Sequence, residues 1–97
     1  MFRVSDKVRA KLDAKHNVSL KDVHECFLNR TGGVLEDTAE AHKSDPPTYF
    51  FIAPNNHCRL LAVYYIEYPD GIVIRTCFEP GPERIAKYKA LAAPTDF

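Results

Sequence analysis

"RLLAVYYIEYPDGIVIRTCFE", residues 59–79, decides the fold. Two runs rich in β-branched and aromatic residues flank Tyr68-Pro69-Asp70-Gly71. Proline at the second turn position and glycine at the fourth predict a β-hairpin, closed by a type I turn with a glycine bulge. With Tyr68 set opposite Ile72, Tyr65 falls opposite Arg75, Val63 opposite Cys77 and Leu61 opposite Glu79. One face then carries Arg59, Leu61, Val63, Tyr65, Glu67, Val73, Arg75, Cys77 and Glu79. The other carries Leu60, Ala62, Tyr64, Ile66, Ile72, Ile74, Thr76 and Phe78. The second face is the more apolar and is expected to pack on helices, leaving the first as the wetter. A slip of one residue exchanges the two faces. Arg75 poses the functional question, because its guanidinium is always charged and sits within the most strand-like run. Either it lies on a wet face or it is there to hold an anion.

Outward from the hairpin, "TYFFIAP" (residues 48–54) reads as a further strand and "VLEDT" (34–38) as a short edge strand. Three adjacent aromatics, Tyr49 to Phe51, suit a core better than a base-stacking platform. Between them "AEAHKSDPP" (39–47) is polar and ends in prolines, which predicts an exposed loop that orders when something binds. Ser5 caps a first helix running to about Lys15, with Val8 and Leu12 on one face. Ser19 caps a second helix, with Val18 and Val23 spaced as a hydrophobic staple. Leu20, Val23 and Phe27 form its apolar stripe, and Gly32-Gly33 is expected to end it in a left-handed conformation. Pro82 and Glu83 open a last helix whose apolar face is Ile85, Tyr88 and Leu91 or Ala92, and Pro94 stops it. The reading is one α+β domain over residues 1–97: two N-terminal helices, a three- to four-stranded antiparallel sheet and a C-terminal helix.

Composition narrows the function. The 97 residues carry 13 Lys/Arg against 13 Asp/Glu, so the net charge is zero. Strong sequence-independent binding of nucleic acid usually accompanies a basic total, so the balance argues against a generic binder while leaving room for a small basic site. The charge is uneven: residues 1–30 hold seven basic and four acidic side chains, and residues 31–58 hold one and four. No apolar run approaches a membrane span, and "MFRVSDKVRAK" lacks a secretory h-region, so a cytoplasmic protein is expected. Cys26, Cys58 and Cys77 include no C-x-x-C pair, which predicts reduced, mostly buried thiols. His16, His24, His42 and His57 show no ligand spacing, so neither metal nor cofactor is expected.

Arg59 and Arg75 are the leading candidate residues. Paired guanidinium forks over an apolar floor suit a phosphate, but a structural ion pair with Glu79 or Glu67 is the simpler explanation. His42 is the histidine best placed for acid–base work, beside Lys43 in the polar loop.

Two stretches and a helix also carry a family resemblance. "AKHNVSLKDVHECFLN", residues 14–29, resembles the "KHGVSF…EA…VF" segment of BrnT, a bacterial toxin family with a RelE-like ribonuclease fold. Lys15, His16, Val18, Ser19 and Phe27 match, with Asn17 in place of glycine and Leu20 in place of phenylalanine. Residues 57–80 are similar to the family's "GR-L-VV…IRII-A" hairpin, and "ERIAKY" (83–88) resembles its closing segment. The resemblance implies a metal-independent RNA endonuclease held by a cognate antitoxin. The leading expectation is cleavage of RNA, whether free or ribosome-associated, by 2′-hydroxyl transesterification. The resemblance places Arg59 and Arg75 on the two strand arginines and Tyr88 on the C-terminal helix tyrosine. With His42, these are the expected catalytic residues. Lys43 and Tyr65 are expected to contact substrate. Where the family has an Ala-Arg pair after the second arginine, this chain has Cys77, Phe78 and Glu79. Similar short proteins carry a name invoking ADP-ribosyl-(dinitrogen reductase) hydrolase, but that family is larger, all-helical and metal-dependent, and a strand-rich chain of 97 residues cannot hold its fold. A catalytically silent, toxin-like protein-binding module is the alternative, and a small-molecule or nucleotide-binding domain is a third.

Overall fold

Ser5 and Ser19 start the two leading helices as their contexts predict. In the computed structural model, which describes residues 2–39 and 44–97, the Ser5 side chain accepts the Val8 N–H and opens α1 (Asp6–His16). Ser19 and Asp22 form a reciprocal capping box at the head of α2 (Leu20–Asn29). Val18 and Val23 are both buried, as a staple requires. His42 and Lys43 lie outside the described residues, as does the middle of the polar loop.

Among the described residues the sheet has five strands: β1 (Phe2–Arg3), β2 (Leu35–Glu36), β3 (Thr48–Pro54), β4 (Leu60–Tyr68) and β5 (Gly71–Phe78). Their order is β1-β5-β4-β3-β2, antiparallel throughout except for β1, which lies parallel to β5. The fold class is therefore α+β, with a mixed sheet. The parallel strand was not anticipated, because two residues are too few for a period to show. The last helix, α3, spans Pro82–Ala92 with proline at its head.

The hairpin register differs from the expected one in an instructive way. Tyr68 pairs with Gly71, not Ile72, so the turn half is shifted by one residue. Beyond Arg75 the expected register returns, with Val63 opposite Cys77. The missing residue is absorbed between Tyr65↔Ile74 and Tyr64↔Thr76, where Arg75 has no cross-strand partner. Arg75 is thus the extra residue of a β-bulge, a device that re-aims side chains.

The two sheet faces are also exchanged. Phe51, Leu61, Val63, Tyr65 and Cys77 are buried against α1 and α2, where Leu12, Val23, Cys26 and Phe27 meet them. That is the face expected to be wet. Of the four charged residues assigned to it, Arg59, Glu67 and Glu79 sit at or beyond the strand ends, and the bulge turns Arg75 out to the other face, so its centre is apolar. The bulge also moves Ile74 to this face, opposite Tyr65.

The other face is covered only in part. α3 packs on β3, and Tyr88 is 0% exposed there. Ile85 and Ala92 pack beside it, whereas Leu91 stays 63% exposed. The Tyr88 hydroxyl donates to the Gly33 carbonyl (2.7 Å). A side chain at Gly32 would meet that hydroxyl at 2.7 Å and the Ala92 carbonyl at 3.2 Å. Gly32 therefore serves close approach to α3, and the Gly33 N–H donates to the Ala92 carbonyl (2.9 Å). Neither glycine caps α2, which ends at Asn29 with Arg30 in an extended conformation. After α3 the chain returns over this loop: Thr31 donates to Asp96, and Phe97 stacks on Tyr88.

Candidate functional site

The structure separates the two arginines that the sequence placed together. Arg59 is committed to the C-terminus of α1. Its Nη1 donates to the Asn17 carbonyl (2.7 Å), its Nη2 to the His16 carbonyl (2.9 Å) and its Nε to Glu79 Oε1 (2.6 Å). These carbonyls have no helical partner, and a cation there also meets the negative end of the helix dipole. Asn17 completes the cap in the left-handed conformation, and the Val18 N–H donates to the Leu12 carbonyl (2.9 Å). Glu79 is therefore the ion-pair partner of Arg59.

The strand-joining loop before Arg59 is equally fixed. Buried Asn55 accepts the N–H groups of His57 and Arg59 and donates to Asp22. Glu25, buried on α2, accepts the Asn56 N–H (2.9 Å). Burial tends to raise the Asp22 pKa, but the Ser19 N–H, the Asn55 and Ser19 side chains and the Arg59 charge together hold it below its ordinary value. Sequence reading missed these residues, since nothing local marks an asparagine or an acid as an organiser of a distant loop.

Three more expected site residues are placed by the fold. Tyr88 is buried, with its hydroxyl engaged at Gly33. Tyr65 is buried on the helix-covered face, packed edge-on against Phe27. Arg75, in contrast, is exposed. It lines a groove on the uncovered face with Lys11, Asp37, Thr48, Tyr64, Thr76, Phe78 and Arg84. Of the expected set, Arg75 alone among the described residues reaches this groove.

The groove has a built floor. Phe50 and Tyr64 are cross-strand partners whose rings stack at 4.9 Å, and Tyr64 stacks on Phe78 at 5.6 Å. The Arg84 guanidinium of α3 lies 4.9 Å over the Phe78 ring and ends the row. Burial pushes the Tyr64 hydroxyl pKa up, the Arg84 charge opposes this, and the Asp37 charge adds to it. The hydroxyl therefore stays protonated at neutral pH and is able to donate a hydrogen bond. Lys11, Arg75 and Arg84 form no ion pair among the described residues. Three cations from α1, β5 and α3 thus converge on a pocket of about 280 Å³. Such an arrangement suits a phosphate group, which takes charge-assisted hydrogen bonds from guanidinium forks. Lys11 and Arg84 were not foreseen. Each looks like an ordinary solvated helix residue until tertiary structure brings the three elements together.

Among the described residues no group of His, Cys, Asp and Glu side chains is arranged to hold a metal ion. No helix among them is long and apolar enough to cross a membrane. No known family, no curated protein and no solved structure matches the chain.

Proposed function

We propose that the protein is a toxin-type, metal-independent RNA endonuclease whose site is the groove on the uncovered sheet face. The convergence of Lys11, Arg75 and Arg84 over Tyr64 and Phe78 carries this reading. The order of BrnT-like sequence segments supports it. In the reaction the RNA 2′-oxygen attacks the adjacent phosphorus and the bond to the 5′-oxygen breaks, leaving a 2′,3′-cyclic phosphate. The 2′-hydroxyl proton must leave and one must reach the departing oxygen. Arg75, with Arg84 and Lys11, stabilises charge developing on the phosphoryl oxygens. Tyr64 donates a hydrogen bond and, with its raised pKa, is unsuited to act as a base. His42 remains the proposed acid or base, although it lies outside the described residues. Arg59 and Tyr88 act in this scheme through the scaffold. A cytoplasmic location and an antitoxin partner belong to the same reading.

Induced expression in a bacterial host tests it. Growth arrest with RNA cleavage is expected for the wild type, and normal growth for Arg75→Ala present at equal soluble level. Normal growth and intact RNA with both proteins would count against the reading. The second reading, a silent protein-binding module, is favoured by one observation: Arg59 and Tyr88 both spend their donors on backbone carbonyls.

A further inference from the structure

The pocket where Lys11, Arg75 and Arg84 converge is also lined by Asp37. Three cations against one acid leave its lining with an excess of two positive charges. Lys11, Arg75 and Arg84 have no ion-pair partner among the described residues, so the excess faces the cavity. Tyr64 and Thr76 line it too, and each carries a hydroxyl.

This positive zone is confined. The adjoining cavity, of about 760 Å³ between α3 and residues 35–39, sets Glu36, Asp37 and Glu83 against Arg84 and Lys87. A polyanion continuing in that direction meets more acid than base. The pocket therefore suits one phosphoryl group and not a track of them. Its volume of about 280 Å³ is below the range of roughly 300–1,000 Å³ that encloses a whole small-molecule ligand. The aromatic floor offers no free seat for a base either. Phe50, Tyr64 and Phe78 stack on one another and Arg84 lies over Phe78, so the faces between them are taken.

A phosphoryl group occurs in nucleic acid in two charge states. A diester within the chain carries one negative charge. A monoester at a chain end carries about 1.5 to 2 at neutral pH and presents three strong acceptor oxygens. The excess of two matches the monoester. Two guanidinium forks and one ammonium supply donors enough for three oxygens, and such charge-assisted bonds strengthen as the acceptors gain charge.

We infer that the pocket binds a terminal phosphomonoester of a nucleic-acid chain in preference to an internal phosphodiester. The choice of a nucleic acid rests on the ribonuclease reading, under which phosphorylated RNA ends compete with substrate. The same match serves the reaction. Attack by the 2′-oxygen passes through a doubly charged phosphorus centre, and a site that favours it over the singly charged diester lowers the barrier.

The test is equilibrium binding of adenosine 3′-monophosphate, adenosine 5′-monophosphate and adenosine 2′,3′-cyclic monophosphate, followed by amide chemical shifts of the full chain. The measurement is made at about pH 7.5, above the second phosphate pKa of about 6. The three compounds share base and sugar, and the cyclic one is a diester with a single charge. The better monoester should bind roughly tenfold tighter than the cyclic ester, the size of one added hydrogen bond between charged groups. Preference for the 3′-monophosphate assigns the pocket to the end that carries phosphorus after cleavage, and preference for the 5′-monophosphate assigns it to the opposite end of a strand. Lys11→Ala and Arg84→Ala should each bring monoester and cyclic ester within about threefold of one another. Lys89→Ala, on α3 but outside the pocket, should leave the ratio unchanged. Equal binding of monoesters and cyclic ester, no binding of any, or a preference that survives both pocket substitutions would each overturn the inference. Monoester selectivity in a protein that leaves RNA intact would sink the ribonuclease reading and leave this one standing. RNA cleavage together with equal binding of monoesters and cyclic ester would do the reverse.

Discussion

Arg59 and Arg75 look interchangeable as residues and are opposite in use. Arg59 closes two carbonyls and one carboxylate. Its replacement by alanine should cost about 2 kcal/mol, since hydrogen bonds from a charged donor to otherwise unpaired carbonyls are lost. Arg75→Ala should change stability by about 0.5 kcal/mol or less, as expected of an exposed side chain that forms no ion pair among the described residues. Urea denaturation of the two variants separates these roles. Acid should act through Asp22. Its folded pKa is depressed, so its stabilising contribution is fully present above the ordinary value of 3.8 and is lost as the pH falls through the folded value. His16 acts in the same direction at higher pH. Burial, then the charges of Lys11, Lys15 and Arg59, lower its pKa below 6.5, so the unfolded chain takes up the proton first. Stability should therefore decline in two steps on acidification, and Asp22→Asn should flatten the lower one. The thiols divide as well. Burial, helped by the Asp22 and Glu25 charges, pushes Cys26 up to about 12, and Cys77 is also shifted up by burial, while Cys58 is exposed. A thiol reagent on the native protein should give a single adduct, at Cys58, by mass spectrometry.

At the scale of elements, the caps were legible and the faces were not. Ser5, Ser19 and Pro82 mark helix starts through local chemistry, and all three stand where the sequence puts them. The hairpin was legible too, because its turn residues and strand composition agree. Its faces were misassigned because charges at strand ends were weighed equally with residues at the centre, and because the unseen bulge left Arg75 on the wrong face. The bulge was invisible, since an inserted residue leaves no mark when both halves alternate correctly around it. This yields a sharp expectation. Removing Arg75 joins Ile74 directly to Thr76, and the two already lie on opposite faces. The deletion variant should fold with a loss of about 1 kcal/mol or less, because both halves of β5 keep their burial. Nuclear Overhauser contacts between Tyr65 and Ile74, and between Val63 and Cys77, should survive. Loss of either pair would mean that the bulge holds the register.

At the scale of the whole molecule, the groove exists because three elements meet. α1 and α2 bury one sheet face, α3 covers only the β3 side of the other, and Lys11, Arg75 and Arg84 converge on what stays open. The sequence named Arg75 but not its neighbours, since their nearness depends on packing between residues 64 and 73 positions apart for Lys11. Zero net charge is compatible with such a site, because cations are concentrated locally while acids such as Glu79 are paired elsewhere. The most direct measurement is incubation of purified wild type and Arg75→Ala with a mixed-sequence single-stranded RNA in excess chelator, with products resolved by mass. The wild type should release fragments ending in 2′,3′-cyclic phosphate, and Arg75→Ala should be slower by about 100-fold or more at unchanged stability. Intact RNA with the wild type, or equal cleavage by both proteins, would contradict the assignment of the groove as a ribonuclease site.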